Sequence, residues 1–131
     1  MGQLRRRTRR VAERRPRGVV NFCDIVTVDF GMPIGSEAGY IRPAVLATAD
    51  AFLRFRPSTV FAVPLTTAAR MFPSHISIDP DALNGLAAQS CALVEQMRAV
   101  SVQRCSAASG NVGPVVSHQI LDVLAMITGM P

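Results

Sequence analysis

The chain has no lysine and no tryptophan, and it has only three cysteines, which lie far apart. Cys23, Cys91 and Cys105 include no C-x-x-C pair, and an odd number of cysteines cannot pair completely. This argues against a disulfide framework and against a zinc site, so we expect buried or half-buried free thiols. No cluster of His, Cys, Asp or Glu has metal-ligand spacing, and we expect neither a metal nor another cofactor.

Long apolar runs are also absent. Hydrophobic residues make up 49% of the 131 positions, but nowhere do about 18 of them follow one another, as a membrane-spanning helix requires. The N-terminal segment lacks the apolar stretch of a secretory signal. We therefore expect a cytoplasmic protein with one hydrophobic core and no membrane partner.

The positive charge is concentrated at one end of the chain. Residues 1–18 hold eight arginines and one glutamate, a net charge of +7, whereas residues 19–131 have a net charge of −2. The first segment contains too few apolar residues to offset the entropy of ordering it. We interpret residues 1–18 as a disordered arginine-rich arm and residues 19–131 as a folded domain.

The domain begins with a pattern that is typical of β-strands. Segment 24–30 alternates and predicts a half-buried strand. Its inward positions are Val26, Val28 and Phe30, and its outward positions are Asp24, Thr27 and Asp29. Further strands are predicted at residues 44–48, 59–65, 75–79, 90–97 and 99–102. We expect Asp50 to cap a short helix and Pro64 to mark the edge or end of its strand.

The C-terminal segment has a helical pattern instead. After residue 114, apolar residues recur at helical spacing, namely Val116, Ile120, Val123, Leu124 and Ile127. This predicts an amphipathic helix of roughly three to four turns. Many short strands followed by one terminal helix predict a mainly β fold, a small and strongly curved barrel.

Three segments carry a recognisable order of motifs. The first is the strand at residues 23–30, followed by G-S-E-x-x-x-x-R-P at residues 35–43. The second is V-P-L-T-T at residues 63–67, and the third is S-C-A-L-V-E-Q-M-R at residues 90–98. Together they resemble the MazF/PemK toxin family, and the resemblance extends from Phe22 to the terminal helix.

This resemblance implies an SH3-like barrel of the CcdB/Kid type that forms a homodimer. It implies an endoribonuclease, an mRNA interferase, that cuts single-stranded RNA at short sequences and is neutralised by a cognate antitoxin. The family's catalytic residues fall on Arg42 and Thr66, and we add Glu37 to them. The expected RNA-binding residues are Ser36, Thr67, Gln96 and Arg70.

The chemistry of these residue types supports the same activity. RNA cleavage needs no outside nucleophile because the 2′-hydroxyl can attack the neighbouring phosphate. The enzyme must then stabilise a crowded, doubly charged phosphorus centre. The guanidinium of Arg42 stays charged and can bind two phosphate oxygens, and the hydroxyl of Thr66 can supply a further hydrogen bond.

Each candidate also has an ordinary structural interpretation. Arg42 is compatible with a solvated charge beside a loop, and Thr66 with a strand-end hydroxyl that satisfies the backbone. Glu37 is compatible with orienting Arg42, with contacting RNA, with acting as a base or with being a solvated loop acid. Gln96 is compatible with an exposed strand residue.

Some positions depart from the family's pattern or favour no role. Phe22-Cys23 stands where the family commonly has a basic residue followed by glycine. Ala38 stands where the family often has glutamine, and this replacement weakens the transfer of the family's base contacts to the loop at residues 35–41. His75 and His118 are interpreted as surface histidines rather than as a catalytic pair. Two alternative functions remain open, a toxin of the same fold acting on DNA gyrase and a non-catalytic nucleic-acid-binding module.

Overall fold

The computed structural model describes residues 20–68 and 71–129. The predicted arm and Arg70 lie outside the described residues. The strands are β1 Asp24–Asp29, β2 Ile41–Leu46, β3 Thr59–Thr66, β4 His75–Ile78, β5 Ser90–Leu93, β6 Arg98–Ser101 and β7 Gly110–Asn111. The helices are α1 Asp50–Leu53 and α2 Gly113–Ile127, and 3-10 turns occupy residues 94–96 and 102–104.

The strands form one curled antiparallel sheet. Their order is β4-β5-β3-β2-β1-β7, and β6 also pairs with β3. Within β3, residues 59–62 pair with β6 and residues 65–66 pair with β5. This change of partner lets the sheet curve around an apolar interior. The architecture confirms the predicted mainly β fold with a C-terminal helix.

Both faces of the central strands are buried. On one face, Ile25 and Val45 belong to a core cluster that includes Ile120 of α2. On the other face, Val28 and Leu46 belong to a second cluster that fills the curl of the sheet. Because successive side chains of a strand point to opposite faces, burial on both sides explains why β1 and β2 are so rich in apolar residues.

The terminal helix packs against the first of these clusters. Ile120 is fully buried, and Val116, Val123 and Leu124 pack against the cluster as predicted. Ile127 was also predicted to face inward, but it lies at the last helical position and is 42% exposed. None of the helices in the described part of the chain has the length and apolar character needed to span a bilayer.

The sequence-based interpretation of Asp24 is wrong. Asp24 is buried rather than outward-facing, because its carboxylate accepts hydrogen bonds from the backbone N–H of Asn21 at 2.7 Å and from Asn111 Nδ2 at 3.0 Å. Buried polar groups persist when they are paired in this way. The contact with Asn111 also joins the beginning of β1 to β7.

The expected role of Pro64 is also wrong. Strand β3 continues past it to Thr66, and β3 has partners on both sides. Pro64 lies between the part of β3 that pairs with β6 and the part that pairs with β5. Its missing N–H therefore breaks no hydrogen bond to either of these two strands. A proline in a central strand is therefore tolerated at the point where the strand changes partner.

Two further predictions, about a helix cap and the end of a strand, need correction. Asp50 does not cap α1, whose N-cap is Ala49; instead its carboxylate accepts the backbone N–H of Phe22 at 2.8 Å. The strand predicted at residues 90–97 ends at Leu93, where a 3-10 turn begins.

All three cysteines are free and are buried or half-buried, as predicted, and burial raises the pKa of the Cys23 thiol to about 12.

Candidate active site

The fold brings Arg42 and Thr66 into one pocket of about 230 Å³. They lie on neighbouring antiparallel strands, in which Ala44 pairs with Pro64. Extending this register by two residues on each strand places Arg42 opposite Thr66, and facing residues of antiparallel strands are close neighbours. The pocket is lined by Arg42, Pro43, Leu65, Thr66, Thr67 and Ser90. We call it the Arg42 pocket.

Backbone carbonyls orient the guanidinium of Arg42. Its Nε donates to the carbonyl oxygen of Gly39 at 2.9 Å, and Nη1 donates to that of Leu65 at 3.4 Å. No carboxylate in the described residues neutralises it by a salt bridge. A guanidinium has five N–H donors, so three of them remain available to an anionic ligand in the pocket.

The loop before β2 is shaped to present this arginine. Tyr40 has a φ of 60°, in the left-handed region that non-glycine residues seldom adopt. Its backbone is held by hydrogen bonds with Gly31 and Phe30 that close the base of the loop. At Gly39 a Cβ atom would lie 2.5–2.6 Å from the ring of Pro33. Only glycine therefore fits at the position whose carbonyl accepts from Arg42 Nε.

The hydroxyl of Thr66 completes the inner part of the pocket. Its Oγ1 accepts the backbone N–H of Ala68 at 3.2 Å, which leaves the hydroxyl hydrogen free to donate to a ligand. Thr66 is half-buried and Thr67 is exposed at the rim. Both the catalytic and the strand-end interpretation of Thr66 are therefore compatible with its geometry.

A second pocket of about 510 Å³ lies beside the loop that precedes β2. It is lined by Ser36, Glu37, Ala38, Glu95, Gln96, Met97 and Arg98, and we call it the Gln96 pocket. The side chain of Gln96 ties the two walls together. Its Oε1 accepts the backbone N–H of Ala38 at 2.6 Å, and its Nε2 donates to the carbonyl oxygen of Ser36 at 3.1 Å.

Glu37 lies in the Gln96 pocket rather than in the Arg42 pocket. Its carboxylate accepts the backbone N–H of Ile34 at 2.8 Å, while its own N–H donates to the Ile34 carbonyl at 3.1 Å. This reciprocal pair shapes the loop. The groups that orient Arg42 are the carbonyls of Gly39 and Leu65 and not the Glu37 carboxylate.

A fixed cation lies at the other end of this pocket. Arg98 is exposed, and its guanidinium lies over the ring of Phe30 at 5.5 Å from the centroid. Its Nη1 also donates to the carbonyl oxygen of Phe30 at 3.3 Å. A guanidinium stacked on an aromatic ring and bonded to the backbone loses little further freedom when it binds an anion.

Residues 21–128 match a protein-family model described as the PemK-like, MazF-like toxin of type II toxin–antitoxin systems. The chain belongs to this toxin family. It is also 33% identical over 87 residues to the endoribonuclease EndoA of Bacillus subtilis (strain 168), covering 66% of this chain and 74% of EndoA. The resemblance inferred from the order of the three motifs is thereby confirmed.

Solved structures agree with the toxin's fold. MazF of Deinococcus radiodurans superimposes with a TM-score of 0.72 at 21% identity, covering 86% of this chain and 98% of that one. An endoribonuclease in complex with its cognate antitoxin from a mycobacterial species gives a TM-score of 0.69 at 19% identity, covering 86% and 98% of the two chains. At this level of identity, the two superpositions establish the fold alone.

The toxin's predicted site residues thus fall into two groups. Arg42, Thr66 and Thr67 line one pocket, and Ser36, Glu37 and Gln96 line the other. Arg70 lies outside the described residues.

Sequence reasoning did not assign three polar residues that line these pockets, Ser90, Glu95 and Arg98. Ser90 is buried, and its hydroxyl donates to the Ala88 carbonyl at 3.1 Å. All three residues were visible in the third motif, which begins with Ser90 and ends with Arg98.

The structure corrects the interpretation of His75 as a surface histidine. Its side chain is only 4% exposed, and its Nε2 lies 2.9 Å from Glu95 Oε2. Glu95 Oε1 accepts the hydroxyl of Ser74 at 2.7 Å. Partial burial opposes ionisation of Glu95, but the hydrogen bonds from His75 and Ser74 outweigh it and hold the pKa of Glu95 below its usual value. His118 is exposed, as expected.

Proposed function

We propose that this toxin cuts single-stranded RNA at short sequences, without a metal, by attack of the 2′-hydroxyl on the adjacent phosphate. Membership of the toxin family and the endoribonuclease relative indicate endoribonuclease activity. The observation that carries the finer proposal is the Arg42 pocket, in which an arginine with no carboxylate partner among the described residues lies opposite a threonine hydroxyl.

The proposed catalytic roles follow from this geometry. The three remaining N–H donors of Arg42 bind the non-bridging oxygens of the scissile phosphate and stabilise the charge that develops there. The hydroxyl of Thr66 donates a further hydrogen bond to the same centre. The bond from the 2′-oxygen to phosphorus forms as the bond from phosphorus to the 5′-oxygen breaks, and water accepts the proton of the 2′-hydroxyl and supplies one to the 5′-oxygen. One fragment then ends in a 2′,3′-cyclic phosphate and the other in a 5′-hydroxyl. Glu37 shapes the neighbouring loop and contacts RNA in this scheme.

The Gln96 pocket suits a base better than a phosphate. It has two carboxylates, Glu37 and Glu95, against one cation, Arg98. Carboxylate and carbonyl oxygens accept hydrogen bonds from the N–H groups of bases, whereas a phosphate there would meet repulsion from two negative charges. We therefore propose that Ser36, Glu37 and Gln96 bind a base next to the scissile phosphate. Thr67 and Arg70 are proposed as contacts to the RNA backbone.

The proposed protein partners are a second copy of the chain and a cognate antitoxin. The structural neighbours include complexes of this kind, such as the mycobacterial endoribonuclease with its cognate antitoxin and a MazE–MazF complex from Deinococcus radiodurans. A site that accepts an anionic phosphate can also accept an acidic, partly disordered peptide that folds on binding. Because RNA is the substrate, we place its action in the cytoplasm.

One experiment distinguishes the proposed function from its two alternatives, a gyrase poison and a non-catalytic nucleic-acid-binding module. The purified protein is incubated with a pool of RNA of mixed sequence, and new fragment ends are mapped, while a parallel sample measures DNA supercoiling by gyrase. We expect cleavage at one short sequence and unchanged supercoiling. Intact RNA together with inhibited gyrase would replace the nuclease by a gyrase poison. RNA that is bound but never cut would favour a non-catalytic binding module.

A further inference from the structure

The loop between β3 and β4 carries an exposed aromatic side chain, Phe72, which none of the proposed catalytic or binding roles uses. Phe72 is 60% exposed. The Phe72 ring leans on the ring of His75, with centroids 5.4 Å apart and an angle of 44° between the planes. The carbonyl oxygen of Phe72 also accepts the backbone N–H of His75 at 3.0 Å. The ring is therefore exposed and yet supported on one side.

Hydrogen bonds hold the support under this ring. The side chain of His75 is almost completely buried, and its Nε2 is bound to the carboxylate of Glu95. The same carboxylate binds the hydroxyl of Ser74, so both of its oxygens hold the loop. The Nδ1 atom of His75 is buried without a hydrogen-bond partner among the described residues. Hydrogen bonds therefore fix the histidine on which the Phe72 ring leans.

A chain of direct contacts connects Phe72 to the proposed catalytic arginine. The 3-10 turn at residues 94–96 holds two loops at once. Glu95 binds His75 beneath Phe72, and the adjacent Gln96 binds the backbone of Ala38. The next residue, Gly39, accepts the hydrogen bond from Arg42. Glu95 itself lines the Gln96 pocket, so the wall of that pocket is bonded directly to the histidine on which the Phe72 ring leans.

We propose that Phe72 is a platform on which a base of the RNA stacks, next to the base held in the Gln96 pocket. This inference rests on the proposed RNA-cleaving function. Stacking of a base on an aromatic ring contributes affinity without requiring a particular base, because every base has a π-face. A ring held in place by His75 before the RNA arrives loses little freedom on binding, which increases the net gain.

A thermodynamic cycle between the protein and the RNA tests this stacking directly. The probe is a single-stranded RNA of the mapped cleavage sequence with a 2′-O-methyl group at the cut site, which prevents cleavage. Phe72→Ala should weaken its binding about 10- to 100-fold. Phe72→Trp should restore affinity, and Phe72→Leu should restore little, because leucine keeps apolar volume but has no π-face.

The same cycle identifies the stacked base. Each nucleotide of the probe is made abasic in turn, and we expect one position whose loss weakens binding to the wild-type protein. With Phe72→Ala, the loss at that position should disappear, since its stacking partner has already been removed. The matched control is Phe55→Ala, another exposed phenylalanine, which lies near the opposite end of β3. Its affinity should equal that of the wild type.

Several results would overturn the inference. Equal RNA affinity for Phe72→Ala and the wild type would exclude stacking. So would removal of the base at that position, if it weakened binding equally in both proteins. A change of molar mass in light scattering would assign Phe72 to a subunit interface, and weakened antitoxin binding with intact RNA binding would assign it to that partner. Failure of the wild-type protein to cut any RNA would instead reject the proposed function, so the two failures are distinguishable.

Discussion

Arg42→Ala should slow RNA cleavage by about 10²–10³-fold, the usual cost of removing one donor that stabilises transition-state charge. The variant should still fold, because Arg42 is only half-buried and its hydrogen bonds go to two carbonyls, of Gly39 and Leu65. Water can replace those bonds. The measurement is a single-turnover rate on an RNA that contains the mapped cleavage sequence, with melting temperature measured in parallel.

Three variants make this test specific. Arg42→Lys keeps the charge but loses the planar donor pair, so it should restore only part of the rate. Thr66→Ala removes one hydrogen bond and should slow cleavage in the same direction, but less. Arg54→Ala removes an exposed arginine next to α1 that lines neither pocket, and it should leave the rate unchanged. A rate near wild type for Arg42→Ala would remove the main catalytic assignment.

Removal of residues 1–18 should make RNA binding far less sensitive to salt. These residues have a net charge of +7, whereas the rest of the chain has a net charge of −2. Each phosphate neutralised on a single strand contributes a slope of about −0.7 in log K against log salt. If four arginines of the arm bind phosphates, the slope should flatten by roughly 3 units. Over a fourfold change in salt, this corresponds to roughly a 60-fold difference in affinity.

The comparison needs the full chain and a chain that begins at Val19, measured across one salt series. Cleavage-site preference should be unchanged, because phosphate contacts position a protein without reading bases. Melting temperature should also be nearly unchanged, because residues 1–18 contain few apolar side chains to contribute to a core. Identical slopes would leave the arm without a role in RNA binding, and a large fall in melting temperature would contradict its interpretation as a disordered arm.

The elements were largely predictable from the sequence, but their partners were not. Alternation and helical spacing locate β1 and α2, because those patterns reflect burial of one face or one stripe. Asp24 was placed outside because of its charge, although strict alternation puts it on the same face as Val26 and Val28; its partner Asn111 is 87 positions away. His75 was misjudged for the same reason, since its partner Glu95 lies 20 residues further on. Local pattern cannot report a polar partner that tertiary folding supplies.

The motifs identify candidate site residues but not which of them lie together in the fold. The motifs place Arg42 and Thr66 near strand ends, but only the β2–β3 register brings the two side chains into one pocket. Gln96 was expected on a strand, yet it lies on a 3-10 turn, where its side chain can reach across to the loop before β2. The separation of Glu37 from the Arg42 pocket depends on loop conformation, which the spacing of motif residues does not specify.

The most direct test of the account is the chemistry of the cut ends. The purified protein is incubated with RNA in an excess of EDTA, and the termini of the fragments are identified by mass spectrometry. Attack of the 2′-hydroxyl within the Arg42 pocket predicts undiminished cleavage that leaves 2′,3′-cyclic phosphate and 5′-hydroxyl ends. Loss of cleavage in EDTA, or fragments with 5′-phosphate ends, would contradict the mechanism.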